Sequence, residues 1–429
     1  MKQLERCISA TALALAVLAA GCGGTHGANG DADGGVGSGS DPGSGGGPGS
    51  GSDPGGGSGS GSAGGLPSAH AAQVVAGRLH ACALTTTGSV RCWGYGEQGQ
   101  LGDGTPLGTT DRFLPVQVSG LTAGVLAIAA SPESDFTCAI TASRGVRCWG
   151  DGEFGQLGNG ARANAPTPVD VTGLAGVTSL AVGSTHACAV IAGGAVKCWG
   201  AGDYGDLGNG GRDSVTTPVA VIGLTGATAV AAGRGQSCAI TASTGVACWG
   251  SNIDGEAGVG LDPAQFPALD SPTTISGLTG VTQLTAGGLD TCAIANGAAL
   301  CWGNNEQTEL GNGTGGSSFD LSTVPVTVTG LAGLTDLDAA GSFGLAVLGG
   351  AVKVWGEFTF AQQSTPAAAP ALPEAATSVS GGGEGYACAI GASGAVYCWG
   401  DNEAGTVGYY DPNAGAHYEA APLAIQSLP

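Results

Sequence analysis

The chain has 429 residues, of which 85 are glycine and only 10% are charged, a composition for short strands and tight turns rather than long amphipathic helices. Asp and Glu number 33 against 12 Lys and Arg, and the formal charge of −21 repels phosphate backbones and anionic headgroups. Nucleic acid is therefore disfavoured as a direct partner.

Lys2 and Arg6 precede an apolar stretch from Ala10 to Ala20 that ends in Leu18-Ala19-Ala20-Gly21-Cys22. A basic start, a short apolar run and small residues mark an export signal over residues 1–21, too short for a comfortable transmembrane span. The small residues before Cys22 resemble the lipobox of bacterial lipoproteins, with Leu18 one place earlier than the commonest spacing. That resemblance implies diacylation of Cys22, which becomes the mature N-terminus. Gly23 rather than Asp follows, which favours the outer membrane. The expected location is outside the cytoplasm, lipid-anchored to a bacterial cell envelope, with the lipid as the sole membrane contact.

Residues 22–72 are the anchor followed by Gly, Ser, Asp and Pro, with GSGSDPG at Gly37–Gly43 repeated at Gly49–Gly55. No core can form from these residues, and a disordered tether is expected. A flexible coil of about 50 residues has a root-mean-square span on the order of 40 Å.

From Gln73 onward one phrase recurs. Each of the seven tryptophans, Trp93, Trp149, Trp199, Trp249, Trp302, Trp355 and Trp399, is followed by Gly, at a spacing of about 50 residues typical of propeller or solenoid arrays. The third copy reads SLAVGSTHACAVIAGGAVKCWGAGDYGDLGNG from Ser179 to Gly210, then TPVAVIGL to Leu224. Four apolar-alternating runs divided by Gly-rich turns suit a four-stranded propeller blade better than a strand-and-helix repeat.

The repeat resembles the regulator of chromosome condensation family, whose unit combines an A-G-x-x-H-x-x-A-L strand, a W-G strand and a G-Q-L-G-x-G turn. Trp93-Gly94 leads to Gly99-Gln100-Leu101-Gly102-Asp103-Gly104, and Trp149-Gly150 to Gly155-Gln156-Leu157-Gly158-Asn159-Gly160. The resemblance runs through residues 73–429 and implies that family's fold, an all-β seven-bladed β-propeller. Copy six, where Trp355-Gly356-Glu357 runs into FTFAQQSTP, has lost the turn. A ring must close or expose an edge, so the C-terminal segment Pro422–Ile425 is expected to join the N-terminal copy at the seam.

Of 14 cysteines, Cys7 lies in the signal and Cys22 at the anchor. The others fall into pairs: Cys82 with Cys92, Cys138 with Cys148, Cys188 with Cys198, Cys238 with Cys248, Cys292 with Cys301, and Cys388 with Cys398. An even set in an exported chain suggests disulfides. Copy six lacks both partners at once, with Leu345 and Val354 in their places, as own-blade pairing requires. Cys292 and Cys301 stand one residue closer, and Asn296-Gly297 between them is a two-residue hairpin signal that keeps the register. Copies one, three and seven place Gly88, Gly194 or Gly394 at the left-handed position of a three-residue loop, whereas Gly145 and Gly245 come one residue later. Zinc is the rival reading, but isolated pairs lack C-x-x-C spacing and His ligands.

No nucleophile elbow, phosphate loop or metal triad is present, and no cofactor is expected. His80 and His186 share a repeat position that holds Phe136, Gln236, Asp290, Phe343 and Tyr386 elsewhere, which argues against shared His chemistry. Four residues after the tryptophans stand Glu97, Glu153, Asp203, Glu306 and Glu403, with Asp254 one place further in copy four. A propeller would set these in an acidic ring, with Phe154 and Tyr204 as anchors for a partner; the same positions also suit solvated turn tips. The irregular stretches 131–136, 262–276, 315–323 and 358–373 are further loop candidates.

The favoured function is a tethered extracytoplasmic scaffold, monomeric in its propeller, that recognises another protein or a glycan through one face. The alternative is an exported lyase or glycosidase with carboxylates at the channel mouth. Guanine-nucleotide exchange follows from the family resemblance alone, and fold analogy is a weak warrant for it.

Overall fold

Within each repeat, apolar residues occupy both faces of the two middle strands. His80–Thr85 is buried throughout and pairs with Val90–Gly94, so this hairpin must be covered on both sides. The flanking strands, Ala71–Ala76 and Arg112–Gln117, complete a meander in chain order. Only other blades can cover such a sheet.

The computed structural model of the protein describes residues 70–108, 111–359, 361–408, 418–425 and 428. The signal, Cys22 and the linker up to residue 69 lie outside the described residues. Among the described residues there is no helix, and the strands form seven four-stranded antiparallel sheets, the blades of a β-propeller. The blades span 71–117, 125–170, 177–220, 227–274, 281–332, 336–368 and 376–424. The first strand begins at Ala71, ahead of the expected boundary at Gln73.

First strands of adjacent blades contact one another around the whole ring, including the seventh with the first, and enclose a central cavity of about 360 Å³. The seam differs from expectation. Tyr418–Ala424 is not added to the N-terminal blade; it pairs with Val396–Asp401 as the outer strand of its own blade. Every blade is contiguous in sequence, and the ring closes through side-to-side packing. Ile425 and Leu428 join Trp93, Ala81 and Ala83 in one apolar cluster, and Ala71 N donates to Gly394 O at 2.9 Å.

All six expected cysteine pairs are disulfides. Cys82 is bonded to Cys92, Cys138 to Cys148 and Cys188 to Cys198. Cys238 is bonded to Cys248, Cys292 to Cys301 and Cys388 to Cys398. Each joins directly opposed residues of the second and third strands, with Cα atoms 4.1 Å apart. Leu345 opposes Val354 in the same register of blade six. Asn296 and Gly297 have φ of 52° and 79°, the two-residue turn that the shorter spacing demanded. In blades two and four the left-handed position does not move to Gly145 or Gly245. It stays in register and is occupied by Arg144 (φ 62°) and Thr244 (φ 61°). In blade six, Ala351–Phe358 and Ala361–Ala368 form one long hairpin in place of the lost turn, so the outer strand is retained.

Candidate functional site

The two ends of the blades differ in chemistry. Backbone hydrogen bonds such as Tyr95 N to Leu79 O and Ala201 N to Thr185 O place the first-to-second and third-to-fourth connections at one end. Others, such as Val125 N to Gly88 O and Ala227 N to Gly194 O, place the hairpin turns and blade-to-blade connectors at the opposite end. The expected acidic residues Glu97, Glu153, Asp203, Asp254, Glu306 and Glu403 all sit in third-to-fourth connections, hence on one face. Phe154 and Tyr204 lie beside them, 40% and 38% exposed. The opposite rim has almost no acid: its hairpin turns, 86–89, 142–145, 192–194, 242–245, 296–297, 349–350 and 392–395, carry no carboxylate, and the connectors contribute Glu374.

The turn that presents this face is built from the interior outward. Gln100 and Gln156 are fully buried, and their Oε1 atoms accept from the backbone N of Gln98 and Phe154 at 3.0 and 2.9 Å. Their carbonyls in turn accept the indole Nε1 of the next blade's tryptophan, Trp149 at 2.9 Å and Trp199 at 2.8 Å. Gly102 follows with φ 65°, and a Cβ there would stand 2.8 Å from the Trp149 ring. Only glycine lets the turn close over that indole. The seam uses the same joint, with Trp93 Nε1 donating to Thr406 O at 2.8 Å. All seven tryptophans are fully buried between blades.

The shared histidine position is also a joint. His80 Nε2 is hydrogen-bonded to Thr137 Oγ1 at 2.7 Å and His186 Nε2 to Ser237 Oγ at 2.8 Å, each in the next blade. Burial pushes both imidazoles down to about 4, so they are neutral at pH 7. Gln236 donates to Gly287 O and Asp290 O, and Tyr386 to Gly77 O, in the same sense.

Nearer the axis, sequence reasoning flagged the stretch 131–136 without a role. Arg78 Nη2 pairs with Asp135 Oδ2 at 2.7 Å, and Arg78 N donates to Ser134 O. A Cβ on Gly383 would stand 2.0 Å from Pro132 O, and one on Gly288 3.2 Å from Glu133 Oε1. A blade-two loop that meets blades five and seven must cross the axis, so residues 131–134 cover this end of the channel. Burial raises the Glu133 carboxyl, against the pull of Arg234.

Channel polar groups are spent on neighbouring strands. Gln73 exchanges bonds with the backbone of Ile128, and Ser380 Oγ accepts from Ala76 N. Asp336 accepts from Gln283 Nε2 and Val379 N, and Asp338 from Thr285 Oγ1 and Gly381 N. Burial raises Asp336 and holds Asp338 at about 7. Among the described residues, no three of His, Cys, Asp and Glu converge as a metal site.

Residues 87–140, 146–190 and 194–240 match a family model described as Regulator of chromosome condensation (RCC1) repeat, and 71–100 and 127–156 match a second model of the same repeat. Residues 71–240 carry regulator of chromosome condensation repeats. Over 100 residues it is 33% identical to the human E3 ubiquitin-protein ligase HERC2, covering 23% of this chain and 2% of the ligase. Over 116 residues it is 36% identical to the Ultraviolet-B receptor UVR8 of Arabidopsis thaliana, covering 26% of each. The chain thus aligns with only a minor part of these relatives' length. Among solved structures, Prp20p of Saccharomyces cerevisiae superposes with TM-score 0.66 at 18% identity, over 80% of this chain and 87% of that one. Human WBSCR16 does so with TM-score 0.62 at 20% identity, over 72% and 83%. At that identity the likeness is one of fold.

Set against one another, the repeats of this chain also differ at a buried position of the turn. Where blades one and two have Gln100 and Gln156, blades three to five have Asp206, Glu256 and Glu309. Their carbonyls still accept the indoles of Trp249, Trp302 and Trp355. Burial pushes all three carboxyls up to about 7. Sequence reasoning missed these acids, although the second position of the G-Q-L-G turn, read down the copies, carries the signal. The stretches 262–276 and 315–323, flagged as loop candidates, carry Phe266 and Phe319, which with Ile253 are exposed by 46%, 69% and 37% on the same face.

Proposed function

We propose that the protein is an extracytoplasmic binding scaffold, lipid-anchored at Cys22 to a bacterial outer membrane, that recognises another protein through the acidic face of its propeller. The single observation that carries the reading is the chemical asymmetry of the two ends. Carboxylates and exposed aromatics share one rim, and the other is nearly free of acid. Rigid blades with a mixed charged and aromatic rim suit recognition, since a few aromatic anchors supply most interface energy and charge complementarity guides encounter. The solved Prp20p structure is described with binding properties to Gsp1p and histones, which supports a protein partner as the kind of ligand. The leader, the lipobox-like cysteine and the Gly/Ser tether support presentation away from a membrane.

The alternative enzyme reading gains nothing from Asp336 and Asp338, which are already bonded to flanking blades. The test uses the full-length chain, cysteines oxidised, as bait against envelope and culture-supernatant fractions, beside a Glu97→Lys/Glu153→Lys/Glu403→Lys variant. A saturable partner held by the native chain and lost by the variant is the expected result. Equal retention by both removes the acidic face from the account. No saturable partner, together with turnover of polysaccharide by the same preparation, puts the enzyme in its place.

A further inference from the structure

Resting on that reading, we infer that the acidic face is specialised by sector, and that blades two to five take a cationic polypeptide segment in which Lys or Arg alternates with apolar side chains. Acidic residues run round most of the ring, but aromatic exposure does not. Phe154 follows Glu153, Tyr204 follows Asp203, and Ile253 precedes Asp254, so each of blades two to four sets an apolar side chain next to a carboxylate. Phe266 and Phe319, from the longer connections of blades four and five, extend the same arc, and Glu306 Oε1 accepts from Phe319 N at 2.6 Å. The equivalent of Phe154 is Gln98 in blade one and Ala404 in blade seven, and blade six has no such connection. Blade one exposes Leu107, while its Tyr95 hydroxyl donates to Glu97 at 2.6 Å. Tyr418 of blade seven lies apart from the arc, within 3.2 Å of Thr359.

The arc is continuous because each turn rests on the outer strand of the next blade. A Cβ at Gly155 would meet Thr216, one at Gly205 would meet Asp270, and one at Gly255 would meet Thr323. Each couple is thus carried on a turn that touches the next blade. Of the cations on this face, Arg212 is held by Asp270 at 2.6 Å, whereas Arg162, bonded only to the neutral carbonyl of Ser214, and the exposed Arg234 keep their charge; Glu153, Asp203, Asp254 and Glu306 outnumber them. A row of like charges on a stiff frame is relieved by a partner of opposite charge, and the interleaved rings reward one that also carries apolar groups. A neutral glycan would satisfy the rings and leave the carboxylates uncompensated.

The Gly/Ser tether does not supply this occupant. Residues 23–69 contain Asp31, Asp33, Asp41 and Asp53 but neither Lys nor Arg, so the tether would be repelled. A second copy, at net −21, would be repelled as well. The occupant is therefore a different, basic polypeptide.

The experiment uses the full-length oxidised chain and three labelled synthetic peptides of equal length, alternating Lys/Phe, Glu/Phe and Lys/Ser, read by fluorescence anisotropy at about 0.05 M and about 0.3 M salt. The Lys/Phe peptide is expected to bind best and to weaken by about ten-fold at the higher salt. Phe154→Ser/Tyr204→Ser should weaken it by about ten-fold and Glu153→Lys/Asp203→Lys by more, while Glu97→Lys/Glu403→Lys, on the same face but outside the sector, weakens it by only about three-fold through the long-range potential. Unchanged thermal melts of these exposed-site variants show that folding is intact. Equal binding of the Glu/Phe or Lys/Ser peptide overturns the stated chemistry, and an equal loss from Glu97→Lys/Glu403→Lys overturns the sector. Either failure can coexist with a partner captured through the acidic face, so it is distinguishable from failure of the binding-scaffold reading.

Discussion

The indole Nε1 of Trp302 donates to the backbone carbonyl of Glu256, 3.0 Å away in the preceding blade. The same Glu256 turns its carboxyl inward, where one oxygen accepts from Asp254 N at 2.7 Å and the Ser251 hydroxyl lies against the carboxyl. A blade joint is thus built around an ionisable group at the place where blades one and two use glutamine.

Burial raises the Glu256 carboxyl to about 7, with Asp254 adding repulsion and Ser251 opposing. A carboxyl with a raised folded pKa binds its proton more tightly in the native state. Its stabilisation is complete below the unfolded value near 4 and is lost as pH rises through about 7. Glu256→Gln should therefore raise stability near pH 8 by about 1–3 kcal/mol and leave it little changed near pH 4. Denaturant titrations of both proteins across that range test this; parallel curves would show that the acid is not the source of pH dependence.

Blade six should accept a seventh staple. Leu345 and Val354 are opposed as Cys82 and Cys92 are in blade one, and they are 0% and 9% exposed. In Leu345→Cys/Val354→Cys the new thiols should oxidise to a disulfide, seen as no gain in free thiol under denaturing conditions. Loss of a native pair, as in Cys292→Ala/Cys301→Ala, should cost about 2–3 kcal/mol of stability. A free-thiol count that rises by two in the first variant refutes the shared register.

Arg144 holds a left-handed backbone, φ 62°, at the loop position that Gly88 and Gly394 occupy in other blades. A side chain in that region is strained, and Arg144 gains in return a 3.3 Å bond to Val177 O. Arg144→Gly should raise stability by about 0.5–1 kcal/mol, the relief of strain exceeding the lost surface bond and the extra chain entropy. Thermal melts of the two proteins decide the sign.

Cys22→Ala should abolish incorporation of an alkyne-tagged fatty acid in growing cells and release the protein from the membrane pellet. Continued labelling would place the acyl chain on another residue and remove the lipobox reading.

Much of the architecture was legible because it is written seven times. Period, tryptophan and cysteine pairing each recur, so local pattern and neighbour contacts repeat together. The paired absence at Leu345 and Val354 even identified the cross-strand partners. The acidic ring was legible for the same reason, as one turn position read down the copies.

What the repeat could not convey is whatever happens once. The closure of the ring depended on whether Tyr418–Ala424 would pair in its own blade or the first; the outer edge of the first is taken by Arg112–Gln117, and the strand completes its own blade. The crossing of residues 131–134 over the channel joins blades far apart in sequence. The strained Arg144 and Thr244 turns arise because the strand register, imposed by the opposed pairs Cys138 with Cys148 and Cys238 with Cys248, outweighs the local preference of glycine one residue later. Sequence alone determined the repeating unit and its face chemistry, since those follow from nearest-neighbour alternation. The seam, the cap and the burial of Asp206, Glu256 and Glu309 were decided by tertiary structure, because each depends on what a different blade places against it.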